Sequence, residues 1–378
     1  MKILVVGTDF PPSRGGISTY MKELTNSLHK IDQVIVLAPG AHNISSFDQK
    51  CLYRIIRTPS IPILRELSFF MYLPWLLWRF RFDAVLHTVW PTALASHFFY
   101  SILPTPYFIS VHASEILDDN LTWRRRLKGC LEKWKLATLR KAKGVFPVSH
   151  YTARLLLSFG VSAEQIQVIS NGVNTDYFRP SIKDRSVGGK STLLTVARLD
   201  LHKGHDRVLE ALALLKKEGV KPRYVIAGMG DEEMRLRKMV MHLGLEDQVC
   251  FAGFVPEKDL PSLYNHADIF VMASREIPRR LDLIEGFGIS FLEASASGLP
   301  LVAGKSGGVP DAVKHGETGF LVNPDDPEDI AHALKMLLND PILAQRLGEN
   351  GRQWTESEMD WNKIAERLHQ AIQQMTGA

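Results

Sequence analysis

Residues 192–204 read TLLTVARLDLHKG. The first six residues, 192–197, carry no charge and are apolar or β-branched, as in a strand buried on both faces. A polar loop follows, carrying Arg198 and Lys203 and closed by Gly204, and then a helical pattern begins. The chain opens in the same way. Residues 2–6, KILVV, form an apolar run that enters a Pro- and Gly-rich loop, 11–16. A helix pattern follows, with Ile17, Tyr20, Met21 and Leu24 on one face. A strand–loop–helix unit that starts twice predicts two domains. The segment between them, 171–191, is polar and rich in Pro and Gly, as in a linker.

Outward from these two starts, short apolar strands alternate with helical stretches. The first half shows strand patterns at 33–37, 84–87, 107–111, 144–148 and 166–169. The second shows them at 223–227, 249–252, 269–273, 300–303 and 319–321. Such alternation predicts an α/β protein with two Rossmann-like, doubly wound parallel sheets, each covered by helices on both faces. Ligands of such sheets bind beyond the carboxyl ends of the strands, so the expectation is two domains facing across a cleft. The last stretch, from about Glu356, reads as an amphipathic helix with Trp361, Ile364, Leu368, Ile372 and Met375 on one side.

The totals agree with this division. A length of 378 residues suits two domains. Hydrophobic residues at 45% and charged residues at 23% are those of a globular protein able to bury two cores. A formal net charge of only +4 gives no reason to expect a nucleic-acid partner. The three cysteines, Cys51, Cys130 and Cys250, form no CxxC pair, which argues against a zinc site or disulfide framework and fits a reducing compartment. The apolar run at the N-terminus is too short for a signal peptide. No stretch reaches the roughly 18 apolar residues that would span a bilayer.

The candidate chemistry sits just after strands. Arg198 and Lys203 could neutralise a diphosphate, Arg through a bidentate fork and Lys as a point charge; the competing reading is a solvated basic loop. Gly15 and Gly16 open the first helix, where glycine admits a close ligand and a free helix N-terminus attracts an anion; a simple tight turn is the alternative. In the stretch EGFGISFLE, residues 285–293, two carboxylates flank a glycine loop at the start of a helix expected near Ile289 or Ser290. Its free N–H groups favour phosphate, and Glu285 and Glu293 can accept from paired sugar hydroxyls. Each could instead be a solvated surface residue. His112, at the end of an apolar strand, could bond a ligand, act as a base or simply be structural. Gly228-Met229-Gly230-Asp231 has part of a dinucleotide fingerprint but lacks the third glycine and the acidic residue about 20 positions on. No DxD triplet, HExxH or P-loop occurs, so no metal site is expected.

Two stretches of the first half suit a membrane surface. Residues 67–78 hold no charge and several aromatics, and Arg79 and Arg81 follow. Residues 123–143 carry nine Lys or Arg and one Glu, with Trp123, Leu127, Leu131 and Trp134 at helical spacing. A basic amphipathic helix with tryptophans fits an anionic membrane. The alternatives are a core helix and a solvated basic face.

Together these residues resemble a retaining glycosyltransferase of family 4, with the GT-B fold. Glu285-Gly286-Phe287-Gly288 with Glu293 matches that family's E-x7-E pattern. Arg198 with Lys203-Gly204, Gly15-Gly16, His112 and Asn171-Gly172-Val173 support it. The resemblance implies an acceptor-side domain at 1–180, a sugar-nucleotide-binding domain at 181–355, and a helix at 356–378 crossing back to the first domain. It implies that Arg198 and Lys203 grip the donor diphosphate. Glu285, with the N–H groups of Phe287, Gly288 and Ile289, would hold the donor sugar and its phosphate, and Glu293 the ribose. His112 would reach the sugar's outer hydroxyl, Gly15 and Gly16 would approach the phosphate, and Phe254 and Val255 would carry the base.

The resemblance further implies a hexose moved from a nucleotide sugar, either a UDP-hexose such as UDP-glucose or GDP-mannose, with no cofactor and no metal. The acceptor would be lipid-linked or a polysaccharide, in cell-envelope or exopolysaccharide synthesis. The enzyme would be cytoplasmic, or peripheral on the inner face of the cell membrane through 67–82 and 123–143. One departure is the link SREIPRRLDLI, residues 274–284, longer than usual and similar to that of phosphatidylinositol mannosyltransferases and some exopolysaccharide transferases. It places Arg275, Arg279 and Arg280 beside the expected donor site. Three other readings stand beside this one: a sugar-nucleotide epimerase or hydrolase on the same fold, an NAD-dependent oxidoreductase built on the Gly228 turn, and a non-catalytic sugar-nucleotide sensor.

Overall fold

The computed structural model describes residues 1–13, 15–41, 44–59, 62–117, 125–181, 190–278, 280 and 283–377, with backbone alone for 45–46, 62–66 and 125–130. The chain divides into two compact units. One is Met1–Gly172 with Trp361–Ala378, and the other is Val173–Asp360. At the junction the N–H of Val173 donates to the carbonyl of Met359 at 2.8 Å.

The first unit holds six parallel strands: β1 Lys2–Val6, β2 Gln33–Pro39, β3 Arg54–Thr58, β4 Ala84–His87, β5 Tyr107–Val111 and β6 Gly144–Pro147. Their spatial order is β3-β2-β1-β4-β5-β6. Side chains alternate across a strand, so Leu4 and Val6 share one face with Ile109 and Val111. That face is covered by the helices Pro62–Phe80, Trp90–Phe99 and Arg125–Lys141. Elsewhere in the unit, helix Gly16–Leu28 packs against helix Trp361–Thr376. Tyr20, Met21 and Leu24 of the first and Trp361, Ile364, Leu368 and Ile372 of the second are buried, and Tyr20 meets Trp361 ring to ring at 5.7 Å. His369 Nδ1 also pairs with Asp32 at 2.7 Å.

The second unit repeats the plan with β7 Thr192–Val196, β8 Arg223–Ala227, β9 Val249–Gly253, β10 Ile269–Met272, β11 Leu301–Gly304 and β12 Gly319–Val322. The order is β12-β11-β10-β7-β8-β9, so β7 takes the place that β1 has in the first sheet. Helices His205–Lys217 and Pro327–Asn339 pack over one core. On another face Phe270 packs against Phe291 of helix Ile289–Ala296 at 5.6 Å. The doubly wound parallel sheets expected from the strand pattern are both present.

The sequence reading and the fold differ in three places. Strand β3, RIIRT, has no counterpart among the expected strands; it lies at a sheet edge, only partly buried and bracketed by arginines. Residues 166–169 form no full strand: Ile166 makes an isolated bridge to Val145, and the N–H groups of Gln167 and Ile169 donate to the carbonyls of Val145 and Pro147 at 3.1 and 3.0 Å. The expected linker is in part packed structure. Phe178 is buried with its ring against Tyr264 at 5.6 Å, and Arg352 donates to the carbonyls of Thr175 and Phe178, each at 2.8 Å. Residues 182–189 of that segment lie outside the described residues.

Candidate active site

The best-defined constellation lies beyond the carboxyl ends of β7 and β10 in the second unit. After β7 the chain turns through Leu201–Lys203 and reaches Gly204, whose φ is 71°. This left-handed conformation suits glycine. A Cβ there would also lie 1.9 Å from the carbonyl oxygen of Ala273, so only glycine lets the loop close on β10. The turn presents Lys203 Nζ to Glu285 Oε2 at 2.5 Å, across 82 positions of sequence. Both side chains are nearly buried, at 15% and 11% exposure.

Burial alone would raise the Glu285 carboxyl. The Lys203 ammonium, its hydrogen bond and the Phe287 N–H outweigh burial and hold it below the usual carboxylate range. Glu285 is therefore an anion held in place. Its backbone is fixed too, since the N–H of Gly308 donates to its carbonyl at 2.9 Å. Gly307 packs so closely that a Cβ would sit 2.4 Å from that same oxygen, which explains the second glycine turn, 306–308.

Helix Ile289–Ala296 begins beside this pair. Gly288 caps it at φ 95° with no side-chain cap. The first amides of the helix thus lack a side-chain acceptor, the arrangement that favours an anion. Phe287 is buried to 1%, so it offers its backbone and not its ring. On the same helix Glu293 accepts from the Tyr264 hydroxyl at 2.6 Å. Burial pushes the Glu293 carboxyl up to about 7, against the Tyr264 hydrogen bond that lowers it.

Arg198 is 74% exposed, with Nη2 3.0 Å from Asp200 Oδ2. Its carbonyl accepts from His205 Nε2 at 3.2 Å. Burial, and the nearby Lys203 charge, hold His202 and His205 at about 4, so both imidazoles are neutral near pH 7. The glycines of the GMGD turn serve this loop. A Cβ at Gly228 would lie 1.8 Å from the carbonyl oxygen of Ala197, and one at Gly230 2.5 Å from that of Leu199. Close backbone packing accounts for both, without a dinucleotide. Phe254 and Val255 follow β9, where Gly228 N–H donates to the Gly253 carbonyl at 2.8 Å; Phe254 is 45% exposed.

Asp206 does not stand out in the sequence, yet with Arg275 it braces the site. Asp206 Oδ2 accepts from Arg275 Nη2 at 2.8 Å and from Arg235 Nη2 at 3.2 Å. Burial works to raise the Asp206 carboxyl, and the two guanidiniums hold it below its ordinary value. The N–H of Arg275 donates to the His202 carbonyl at 2.8 Å, so the residue ties the Lys203 turn to the end of β10. The side chain of Arg275 is only 7% exposed and is committed to Asp206. Arg279 lies outside the described residues. The other residue that sequence reasoning missed is Tyr264, whose partner Glu293 lies 29 positions away, so no local pattern joins them.

The first unit holds the remaining candidates. His112 follows β5; its Nε2 donates to the Thr88 carbonyl at 3.2 Å, and its ring meets Tyr20 edge-on at 4.6 Å. Burial lowers its pKa to about 4, leaving Nδ1 as an unprotonated acceptor. Tyr20 belongs to the helix that Gly15 and Gly16 open, so His112 and that helix are directly in contact. Gly15 has φ 135°, and a Cβ on Gly16 would meet nothing within 4 Å. Nearby, burial raises the Glu115 carboxyl to about 8; its Oε1 takes a long bond, 3.4 Å, from the His112 N–H. Among the described residues no group of three or more His, Cys, Asp and Glu could hold a metal ion.

With this geometry in hand, comparison with known proteins defines the class. A family model for group 1 glycosyl transferases matches residues 180–354, and one for glycosyltransferase family 4 matches residues 14–177. A GDP-mannose-dependent α-(1-6)-phosphatidylinositol monomannoside mannosyltransferase of Mycolicibacterium smegmatis is 31% identical over 390 residues, covering 98% of each chain. The amylovoran biosynthesis glycosyltransferase AmsK of Erwinia amylovora is 32% identical over 51% of this chain and 46% of its own. The fold is shared with HepE of Anabaena, solved in complex with UDP, at TM-score 0.81 and 20% identity over 99% of this chain and 100% of that one. The chain is an enzyme of the GT-B class. It belongs to the family 4 glycosyltransferases.

Proposed function

We propose that this enzyme is a retaining, metal-independent hexosyltransferase that acts on a lipid-linked or polysaccharide acceptor in the synthesis of a cell-envelope or extracellular glycan. GDP-mannose is the first choice of donor, because mannosyltransferases named for it match the chain from end to end. A UDP-hexose such as UDP-glucose is the second. The enzyme works in the cytoplasm or on the inner face of the membrane.

The observation that carries this reading is the Lys203–Glu285 pair beside the uncapped start of helix Ile289–Ala296. Lys203 and Arg198 bind the diphosphate. Glu285 accepts from hydroxyls of the donor sugar, while the Gly288 and Ile289 amides meet phosphate oxygen. Glu293 takes the ribose, and Phe254 with Val255 the base. In the first unit the Gly15-Gly16 backbone approaches phosphate, and His112 accepts a sugar hydroxyl at Nδ1.

The bond from the anomeric carbon to the phosphate oxygen breaks with its electron pair on the oxygen. The acceptor hydroxyl oxygen bonds to that carbon from the same face, and its proton passes to the leaving phosphate. Two cations and preorganised helix amides offset the charge that grows on the diphosphate, the kind of fixed electrostatics that contributes most to catalysis. Such a route asks for no protein nucleophile.

The test is product analysis with labelled GDP-mannose and UDP-glucose, using phosphatidylinositol mannoside as acceptor probe, with and without EDTA. The expected product keeps the donor's anomeric configuration and forms equally well in EDTA. An inverted linkage, loss of activity restored by Mn²⁺, or release of free sugar or epimerised nucleotide alone would overturn the corresponding part.

A further inference from the structure

Strand β3 lies at the edge of the first sheet and reads RIIRT, from Arg54 to Thr58. A charged side chain on an edge strand ordinarily reaches into water. The side chain of Arg57 is instead only 10% exposed, and all three of its nitrogens donate. Nε and Nη2 form a fork on Asp48, at 3.1 and 2.6 Å. Nη1 meets the carbonyl of Pro39, at the end of β2, at 3.0 Å, and Nη2 also meets that of Pro11 at 2.7 Å. The guanidinium lies over the Phe10 ring at 5.2 Å, and the buried Phe10 meets Phe47 edge-on at 5.8 Å. Asp48, Pro39 and Pro11, which are 9, 18 and 46 positions away, thus converge on one side chain.

β3 itself does not need these bonds. It pairs with β2 in unbroken register, from Ile35 with Arg54 to Pro39 with Thr58. What the bonds hold is the loop after β1. Pro11 and Pro12 have no N–H to donate, so this loop can make few backbone bonds of its own. The Ser13 N–H donates to the Phe10 carbonyl at 3.1 Å, and Ser18 Oγ donates to the Ser13 carbonyl at 2.6 Å. Gly15 and Gly16 follow, and a Cβ on either would meet nothing within 4 Å. Glycine backbone without packing of its own is the most costly to order, yet it serves a ligand well only when held to within roughly 0.5 Å. Arg57 supplies that support from the Phe10–Pro11 end of the loop, and Ser18 from the helix end.

We propose that Arg57 is a positioning residue for sugar transfer: by tying the Phe10–Pro11 end of the loop to the end of β2 and to Asp48, it sets the place of the Gly15-Gly16 backbone. The proposal deepens the reading in which that backbone approaches phosphate, and rests on it.

The experiment compares wild type, Arg57→Met and Arg57→Lys in steady-state transfer to phosphatidylinositol mannoside from GDP-mannose, or from UDP-glucose where wild type uses that donor, with GDP affinity measured by calorimetry. Arg57→Met should lower kcat about ten- to a hundredfold, the cost of a small misplacement near the chemistry. GDP affinity should change far less, because Lys203, Glu293 and Phe254, which the reading gives to the nucleotide, belong to the second unit. Arg57→Lys should recover part of the loss, since an ammonium can hold a carbonyl but cannot reproduce the fork on Asp48. Unchanged kcat in Arg57→Met, or a fall in GDP affinity as large as the fall in kcat, overturns the proposal. Should Arg57→Met fail to fold, Asp48→Asn takes its place. It leaves Arg57 and both carbonyl bonds but removes the charge that aims the guanidinium; its kcat should fall, and a folded Asp48→Asn with wild-type kcat overturns the proposal. A wild type that binds GDP but transfers no sugar sinks the acceptor reading, and hydrogen exchange then decides for Arg57. The amides of Ser13 and Thr19, which bond to the carbonyls of Phe10 and Gly15, should exchange about tenfold faster in Arg57→Met. Unchanged exchange there overturns the proposal.

Discussion

The two sheets have the same strand order, yet their carboxyl ends carry different chemistry. Beyond β7 and β10 the second unit places a nearly buried ammonium against a nearly buried carboxylate, braced by a further ion pair, Asp206 with Arg275. Beyond β1 and β5 the first unit offers bare glycine backbone and the neutral imidazole of His112. The difference teaches how one fold can divide labour. Fixed charge suits a ligand that is always charged, such as a diphosphate, because buried charges repay their desolvation only when well paired. A neutral acceptor such as His112 suits a sugar hydroxyl, and open glycine backbone at a helix start suits the close approach of a phosphate.

That contrast can be attacked most strongly at Lys203 and Glu285. Lys203→Ala or Glu285→Ala should cost about 10²–10³ in turnover. Circular dichroism should confirm an unchanged fold, and the double substitution should cost far less than the product of the singles because each leaves the other unpaired. Near-wild-type turnover in both would remove the charged site from the account. Next in size is Arg275→Met, which leaves every ligand-facing group in place. GDP affinity measured by calorimetry should fall about tenfold, and Arg275→Lys should recover only part, since a point charge cannot reproduce the guanidinium fork. A lowered melting temperature with unchanged GDP affinity would make the Asp206–Arg275 pair merely structural.

Arg198→Ala should lower turnover about tenfold with stability unchanged, because this side chain is largely in water and screened. The smallest effect concerns Glu293. Its carboxyl is raised to about 7, so it accepts poorly from hydroxyls below that pH and well above it. GDP affinity should therefore rise as pH increases through 7, and Glu293→Gln should flatten the profile. Stability runs the other way: the raised carboxyl stabilises the fold below its unfolded value and that contribution is lost as pH rises through 7. A pH-independent affinity in wild type would contradict the ribose role.

How much of this was written in the sequence follows from the range of the interactions. β1 and β7 are uninterrupted apolar runs between loops, so local pattern identified them, and with them the two-sheet plan. β3 escaped because an edge strand with one arginine at its start and another near its end lacks such a run. Residues 166–169, IQVI, alternate like a strand and do run beside β6, but they give only one bridge and two backbone hydrogen bonds, too little for a ladder. The motif positions of Glu285, Glu293, Arg198 and Lys203 were legible by spacing and by following strands. Their partnerships were not. Lys203 meets Glu285 across 82 positions, and Arg275 meets Asp206 across 69, distances at which no local signal survives. The long 274–284 link was enough to place Arg275 beside the site, but not to name Asp206 as its partner.

The most direct test of the central claim is a thermal-shift titration of wild type and Lys203→Ala with GDP, GDP-mannose, UDP, UDP-glucose and NADH. A ligand that binds only the folded state raises the melting temperature by mass action. The account predicts that one nucleotide family stabilises wild type, GDP and GDP-mannose first, and that Lys203→Ala responds far less. Stabilisation by NADH alone, no response to any sugar nucleotide, or an equal response from the variant would contradict it.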